Sequence, residues 1–222
     1  MKSHVEREIT ELKEKILRMG ALVEERISLA VKALVERDAK LAEKISSSDD
    51  EVNTMEMEID EKCLSILALH QPEASDLRFI FATIKINKDL ERMGDQAVNI
   101  AQRTKLVISA PPLKPLIDIP RMAALTRDMI HDVLDAFVRR DIELARMVCE
   151  RDGQIDALND QLFRELLTYM MEKKGKINQA LQLILISRSL EKVGDHATNI
   201  AEDVIFAVVG KDIRHHADMR ET

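Results

Sequence analysis

Apolar positions recur every three or four residues along almost the whole chain. The first segment shows it plainly: Val5, Ile9, Leu12, Ile16, Met19, Val23, Ile27, Ala30 and Leu34 form one stripe on a helix. Arg37-Asp38 interrupts the stripe, and Asp38 suits the N-cap of a following helix. That second helix is expected over roughly Ala39 to Leu69, with a kink near Ser46-Ser47-Ser48-Asp49. His70-Gln71-Pro72-Glu73 reads as a turn, with Pro72 near the first position of a third helix. Glu73 and Asp76 favour that helix's N-terminal dipole, and it reaches about Ile108. Ala110-Pro111-Pro112-Leu113-Lys114-Pro115, closing at Pro120, is the natural linker. The pattern then starts again: a helix near Arg121–Arg139, another from Asp141 to about Lys173, a break at Gly175, and a last helix to about Val209. From Gly210 the tail is polar and expected to fray.

The second half copies the first. Leu90-Glu91-Arg92-Met93-Gly94-Asp95-Gln96-Ala97-Val98-Asn99-Ile100-Ala101 matches Leu190 to Ala201 at an offset of 100, with eight of twelve positions identical. Upstream the offset is 103: Ala33, Val35, Arg37, Asp38, Leu41 and Ala42 recur as Ala136, Val138, Arg140, Asp141, Leu144 and Ala145. The difference of three suggests a longer second turn in the first half. The expected fold is therefore all-α: two tandem three-helix bundles, six long helices in all, over 1–110 and 121–210, joined by the Pro-rich linker 111–120 and followed by the tail 211–222. Helices of about 30 residues would be roughly 45 Å long.

Composition narrows the function. Only 6 Gly and 5 Pro occur in 222 residues, too few for the turns of a β-sandwich or barrel. The formal net charge of −7 argues against a nucleic-acid partner. No run of 18 apolar residues exists to span a membrane, and the N-terminus lacks the apolar core of a signal peptide. Cys63 and Cys149 form no C-x-x-C, which fits a reduced cytoplasmic protein with buried, inert thiols. No phosphate-binding glycine loop or nucleophile elbow is present.

The chemistry lies in carboxylate stripes. On the third helix Glu91 and Asp95 share a face that Asn99 and Gln102 extend, while Ile86, Leu90, Met93, Ala97 and Ile100 lie roughly opposite. The last helix repeats this with Glu191, Asp195, Asn199 and Glu202. Gly94 sits on the flank, and a mid-helix Gly costs about 1 kcal/mol relative to Ala, which points to a close neighbour or ligand. The middle helices carry partner stripes: Asp49, Asn53, Glu56 and Asp60 in the first half, and Asp152, Asp156, Asn159 and Asp160 in the second. Converging like charges repel, and cations offset this; oxygen donors without Cys suit Mg²⁺, Ca²⁺, Mn²⁺ or iron. One E-x-x-x-D is ordinarily a solvated helix face. Its repetition inside a matched block, between halves that differ far more elsewhere, raises its weight. His131 reads as a surface residue and His196 as a flanking one; His215-His216 fall in the solvated tail, and Met55, Met93 and Met129 read as core filler.

These blocks, together with Gln71-Pro72-Glu73-Ala74-Ser75-Asp76-Leu77-Arg78-Phe79-Ile80, resemble the PhoU family of phosphate-signalling regulators over nearly the whole chain. The resemblance implies two similar three-helix bundles and iron or zinc clusters held by E(D)xxxD motifs, which fall on Glu91/Asp95 and Glu191/Asp195. Glu56/Asp60 and Asp152/Asp156 are added as middle-helix partners; they do not correspond at one offset, and Asn53 stands where the repeat of Asp156 would predict an acid. The resemblance further implies a cytoplasmic, dimeric, non-catalytic negative regulator of the phosphate-starvation response. Such a protein links a phosphate ABC transporter, through its ATPase subunit, to a sensor histidine kinase. Two other readings stay open: a metal-dependent hydrolase or phosphatase that uses the carboxylate sites to activate water, with Arg78 and Arg92 nearby in sequence but no evident general base, and a purely structural helical protein.

Overall fold

The computed structural model describes residues 4–48, 50–172 and 174–210. Seven α-helices follow one another: α1 (His4–Glu36), α2 (Ala39–Ser46), α3 (Asp50–Leu69), α4 (Ala74–Ile108), α5 (Asp118–Arg139), α6 (Ile142–Glu172) and α7 (Ile177–Val209), with a 3₁₀ turn at Lys174–Lys176. Among the described residues there is no strand. The second expected rod is present but broken into α2 and α3 at the serine run. Ser46, Ser47 and Ser48 each turn a hydroxyl back onto a carbonyl of the preceding turn, Glu43 or Ile45, which competes with helix continuation.

Both halves begin with the same corner. Arg37 and Arg140 adopt left-handed backbone, φ 57° and 58°, and the next amide closes each helix by reaching back to Ala33 and Ala136, both at 2.9 Å. The following aspartate caps the new helix. Asp38 accepts from the amides of Lys40 and Leu41, and Asp141 from that of Leu144.

Two details depart from the sequence reading. Pro72 lies outside α4, with Glu73 at the helix boundary, and α5 starts at Asp118, placing Pro120 inside its first turn. The three additional residues of the first half do not lengthen a turn: they extend the start of α4 relative to α7 by about one helical turn.

The apolar stripes face one continuous core. Leu12, Ile16, Ile59, Ile66, Ile86, Leu90, Met93, Ile155, Leu166, Leu190 and Val193 are completely buried. The halves do not hang as separate bundles on a linker. α4 packs extensively along α7, and α1 packs against α5. α4 and α7 run antiparallel, because Arg78 reaches the Ala207 carbonyl and Asp89 meets His196. Phe79 of α4 stacks on Phe137 of α5 with ring centroids 4.7 Å apart. The linker is fastened to both halves: Arg37 donates to the Ile108 carbonyl, Gln179 to those of Val107 and Pro111, and the buried Lys114 pairs with Asp118 and Glu165. No helix among the described residues is long and apolar enough to cross a membrane.

The corners generate a direct test. Asp38→Ala should lower the unfolding free energy by about 1 kcal/mol in urea titration, while Asp38→Asn, which keeps an accepting oxygen, should lose only a fraction of that.

Candidate metal centre

The acid stripes are positioned by close helix packing. A Cβ added at Gly94 would lie 3.3 Å from a Val52 methyl carbon; one at Gly194 would lie 2.9 Å from Ile155 Cδ1 and 3.0 Å from Asp152 Oδ1. The close neighbour expected at Gly94 is thus the middle helix itself, Val52 on α3. At Gly194 the neighbouring α6 also brings a carboxylate into contact.

In the second half, four of the expected acids come together. Asp152 and Asp156 of α6 face Glu191 and Asp195 of α7. Burial, then Asp156, Asp195 and Glu191 in that order, push the Asp152 carboxyl up to about 6. Burial, then Asp195, Asp156 and Asp160, raise Glu191, and burial, then Asp156, raises Asp195. Asp152 Oδ1 is buried without a hydrogen-bond partner. No lysine or arginine among the described residues forms an ion pair with any of the four. Arg188 and Lys192 act on them only from a distance, lowering Glu191 and Asp195 respectively.

The first half is arranged differently. Lys88 bridges the stripes, its ammonium 3.2 Å from Glu56 Oε1 and 2.9 Å from Glu91 Oε2, and these bonds, that to Glu91 first, raise its pKa. Asn87 donates to Asp60 and to the Glu56 carbonyl. Glu56 and Glu91 therefore share a cation supplied by the chain, and Asp60 is turned to Asn87. Asp95 is half-buried one turn further along α4, and Asp49 lies outside the described residues. Lys88 and Asn87 are site residues that the sequence reading passed over; Lys88 stands three residues before Glu91, on the same stripe.

The remaining candidates scatter. Asn99 is half-buried, Asn199 is exposed, and Glu202 acts on Cys149. His196 bonds across the α4–α7 seam rather than to the acids: its Nδ1 lies 2.8 Å from Asp89 Oδ1, while its charge still lowers Asp195. His131 is exposed. Burial pushes the Cys63 and Cys149 thiols up to about 12 and about 11, which leaves them unreactive. His215 and His216 lie outside the described residues.

The second-half cluster fits a cation by its donor type, its uncompensated charge and its orphaned buried oxygen. Yet no three His, Cys, Asp or Glu side chains among the described residues are gathered ready to hold one ion. Ligation there requires side-chain rearrangement. The first-half stripe does not fit a cation while Lys88 holds Glu56 and Glu91.

Comparison with known proteins assigns the fold and its acid-bearing helices to one lineage. The family model of the PhoU domain matches twice, over residues 16–104 and 119–204. The chain belongs to the PhoU family. It is 43% identical over 216 residues to a Pseudomonas putida protein named phosphate-specific transport system accessory protein PhoU homolog, covering 97% of this chain and 84% of that one. An Aquifex aeolicus protein of the same name is 41% identical over 209 residues, covering 94% and 95%. The crystal structure of PhoU from Pseudomonas aeruginosa superposes with a TM-score of 0.88 at 40% identity, covering 93% of this chain and 99% of that one. A phosphate transport system regulatory protein PhoU from Streptococcus pneumoniae gives 0.87 at 30%, covering 94% and 99%. The chain carries both E-x-x-x-D motifs on equivalent turns, Glu91/Asp95 and Glu191/Asp195, with a lysine bonded to the first and none bonded to the second among the described residues.

That asymmetry can be measured. The raised Asp152 favours the protonated form in the folded state, so its stabilising contribution is complete below the ordinary 3.8 and lost as pH rises through about 6. At pH 7.5, Asp152→Asn should stabilise the chelator-treated protein, by at most about 1 kcal/mol because the side chain is half exposed and screened. The advantage should shrink as pH falls through 6. Leu190→Ala should destabilise at every pH, by about 2–5 kcal/mol. Calorimetric melting at pH 5.0, 6.0 and 7.5 reads all three.

Proposed function

We propose that this chain is a regulator of a phosphate-specific transport system that works as a cytoplasmic, metal-loaded adaptor rather than as a catalyst. In this reading it acts as a negative regulator of the phosphate-starvation response. It docks on the ATPase subunit of the phosphate ABC transporter and on a sensor histidine kinase, as a homodimer, and holds the kinase in its repressing mode when phosphate is plentiful. Family membership supports the transport side, since the relatives are named accessory and regulatory proteins of phosphate transport.

The observation that carries the metal part is the uncompensated cluster Asp152, Asp156, Glu191 and Asp195. These residues would hold the ion, an oxygen-ligated iron, Mn²⁺, Mg²⁺, Ca²⁺ or zinc. Bound there it neutralises mutually repelling carboxylates and ties α6 to α7. A structural helical protein with empty stripes would have no use for an orphaned Asp152 oxygen beside three further acids. The phosphatase reading is weakened by Arg78, which is spent on the far end of α7, 13 residues from Glu91 or roughly 20 Å along the helix.

Two experiments test the proposal. Titration of chelator-treated protein with Mn²⁺ or Fe²⁺ should show one tight equivalent. Asp195→Ala should weaken it by roughly tenfold or more, whereas Lys88→Ala should create a second by releasing Glu56 and Glu91. Deletion of the gene should switch on phosphate-starvation genes in phosphate-rich medium, and continued repression would sink the regulatory reading.

A further inference from the structure

The duplication itself carries information about what this protein touches. At positions where α4 and α7 face each other, the two copies have become unlike. Asp89 meets His196, whose counterparts are Ser189 and Gln96; Lys85 pairs with Asp203, whose counterparts are Leu185 and Arg103. Complementary contacts across a seam require such differences. On the outer sides of α1 and α5 even charge has reversed, as Lys32 against Asp135 and Glu36 against Arg139.

The open side of α4 and α7 has kept its chemistry. Leu77 corresponds to Ile177, Phe81 to Leu181, Lys88 to Arg188, Arg92 to Lys192 and Leu106 to Phe206. Core packing gives little reason for this agreement, although Lys88 bridges Glu56 and Glu91 and Phe81 touches Phe206. Leu77 and Phe81 are 48% and 52% exposed, Ile177 and Leu181 are 44% and 43%, and all four basic residues are exposed. The second-half acids have a use in the metal reading above; these five pairs have none there.

Because α4 and α7 are antiparallel, the two copies are related by a local two-fold axis normal to this face. Basic residues lie near the axis, and apolar residues lie at both ends. Phe81 meets Phe206 at one end, with ring centroids 6.3 Å apart. Leu181 marks the other end, 25 residues back along α7 or roughly 37 Å. We infer that the open α4–α7 face is a docking surface for a two-fold-symmetric, homodimeric protein, each subunit of which sets one apolar anchor against an end of the face and carboxylates against the basic centre. A symmetric partner is the occupant that explains why both halves preserve one surface. The charge order selects an acidic protein element over an anionic membrane. A flat lipid surface covering the basic centre would also press its phosphates against Asp195 and Asp156 beside it, both exposed.

The inference deepens the adaptor reading and rests on it, but the two fail differently. A benzophenone side chain is placed at Phe81, at Leu181 and, as a back-layer control, at Lys32, and is irradiated in living cells. The expected result is one and the same polypeptide joined at 81 and at 181, through the same segment of its sequence, with at least tenfold less adduct at 32. Phe81→Glu combined with Leu181→Glu should abolish an adduct made from Arg92, while circular dichroism shows unchanged helix content. Different polypeptides at 81 and 181, adducts to lipid, or adducts to a second copy of this chain would overturn the symmetric docking and leave the adaptor reading standing. No adduct above the control at either position would overturn both.

Discussion

The packing of α4 against α7 is the constraint from which the rest follows. Each is the last helix of its half, each has one face in its own bundle, and each must offer a second face to its copy. Antiparallel packing of duplicated helices brings like residues toward like ones near the two-fold axis. The chain resolves this by making the seam unlike in its two copies: Asp89 with His196, Lys85 with Asp203, Arg103 with Gln182. Asp89 and Asp203 are nearly buried, so leaving either without its partner would strand a desolvated charge. These pairs fix the register of the halves more than they add net stability, because desolvation offsets much of the Coulomb gain.

With the seam fixed, the outer helices follow. Gly194 lets α6 approach α7 until Ile155 and Asp152 touch the glycine's flank, and Gly94 lets α3 approach through Val52. Close approach serves the core by burying Val52 and Ile155, and it also sets the carboxylates of facing helices against one another. The acid cluster is thus a consequence of tight apolar packing beneath it. In the first half the resulting repulsion is relieved from within by Lys88. In the second, Arg188 occupies the equivalent position without bonding to Glu191, and burial together with the remaining repulsion raises the carboxyl pKa values.

Much of this was legible in the sequence because it depends on local periodicity. The apolar stripe of α1, the Asp38 cap, the irregularity at the serines (expected as a kink, found as a break) and the placement of Glu91 and Asp95 away from the core stripe all follow from spacing along one helix. What escaped depends on register between helices. The offset change from 103 to 100 counts three extra residues without saying whether they lengthen a turn or a helix, and packing assigned them to the start of α4. Lys88 could be placed on the acidic stripe, but its bridge to Glu56 depends on how far α3 slides along α4. His196 could be placed beside Asp195, but its engagement by Asp89 belongs to the seam. Asp60 and Glu202 sit on the predicted faces and still miss the clusters, because a shared face does not guarantee a shared height.

A duplicated chain also provides its own control for reading a surface. Where the copies touch, complementarity drives them apart in sequence; where they face solvent, drift does, as the reversed charges on α1 and α5 show. Agreement between copies survives for two physical reasons. Core positions such as Leu90 and Leu190 agree because they fill the same volume. Exposed positions such as Phe81 and Leu181 leave about half of their surface uncovered within the chain, and fully burying an apolar side chain of that size is worth about 1.5–3 kcal/mol. The same gain is available at both ends of a face whose centre offers exposed basic side chains to an acidic visitor, provided its carboxylates stand clear of Asp156 and Asp195 beside them. Symmetry outside and asymmetry within the seam are then two results of one packing decision: the seam had to break the repeat for the halves to join, and the open face had to keep it for the same visitor to fit both.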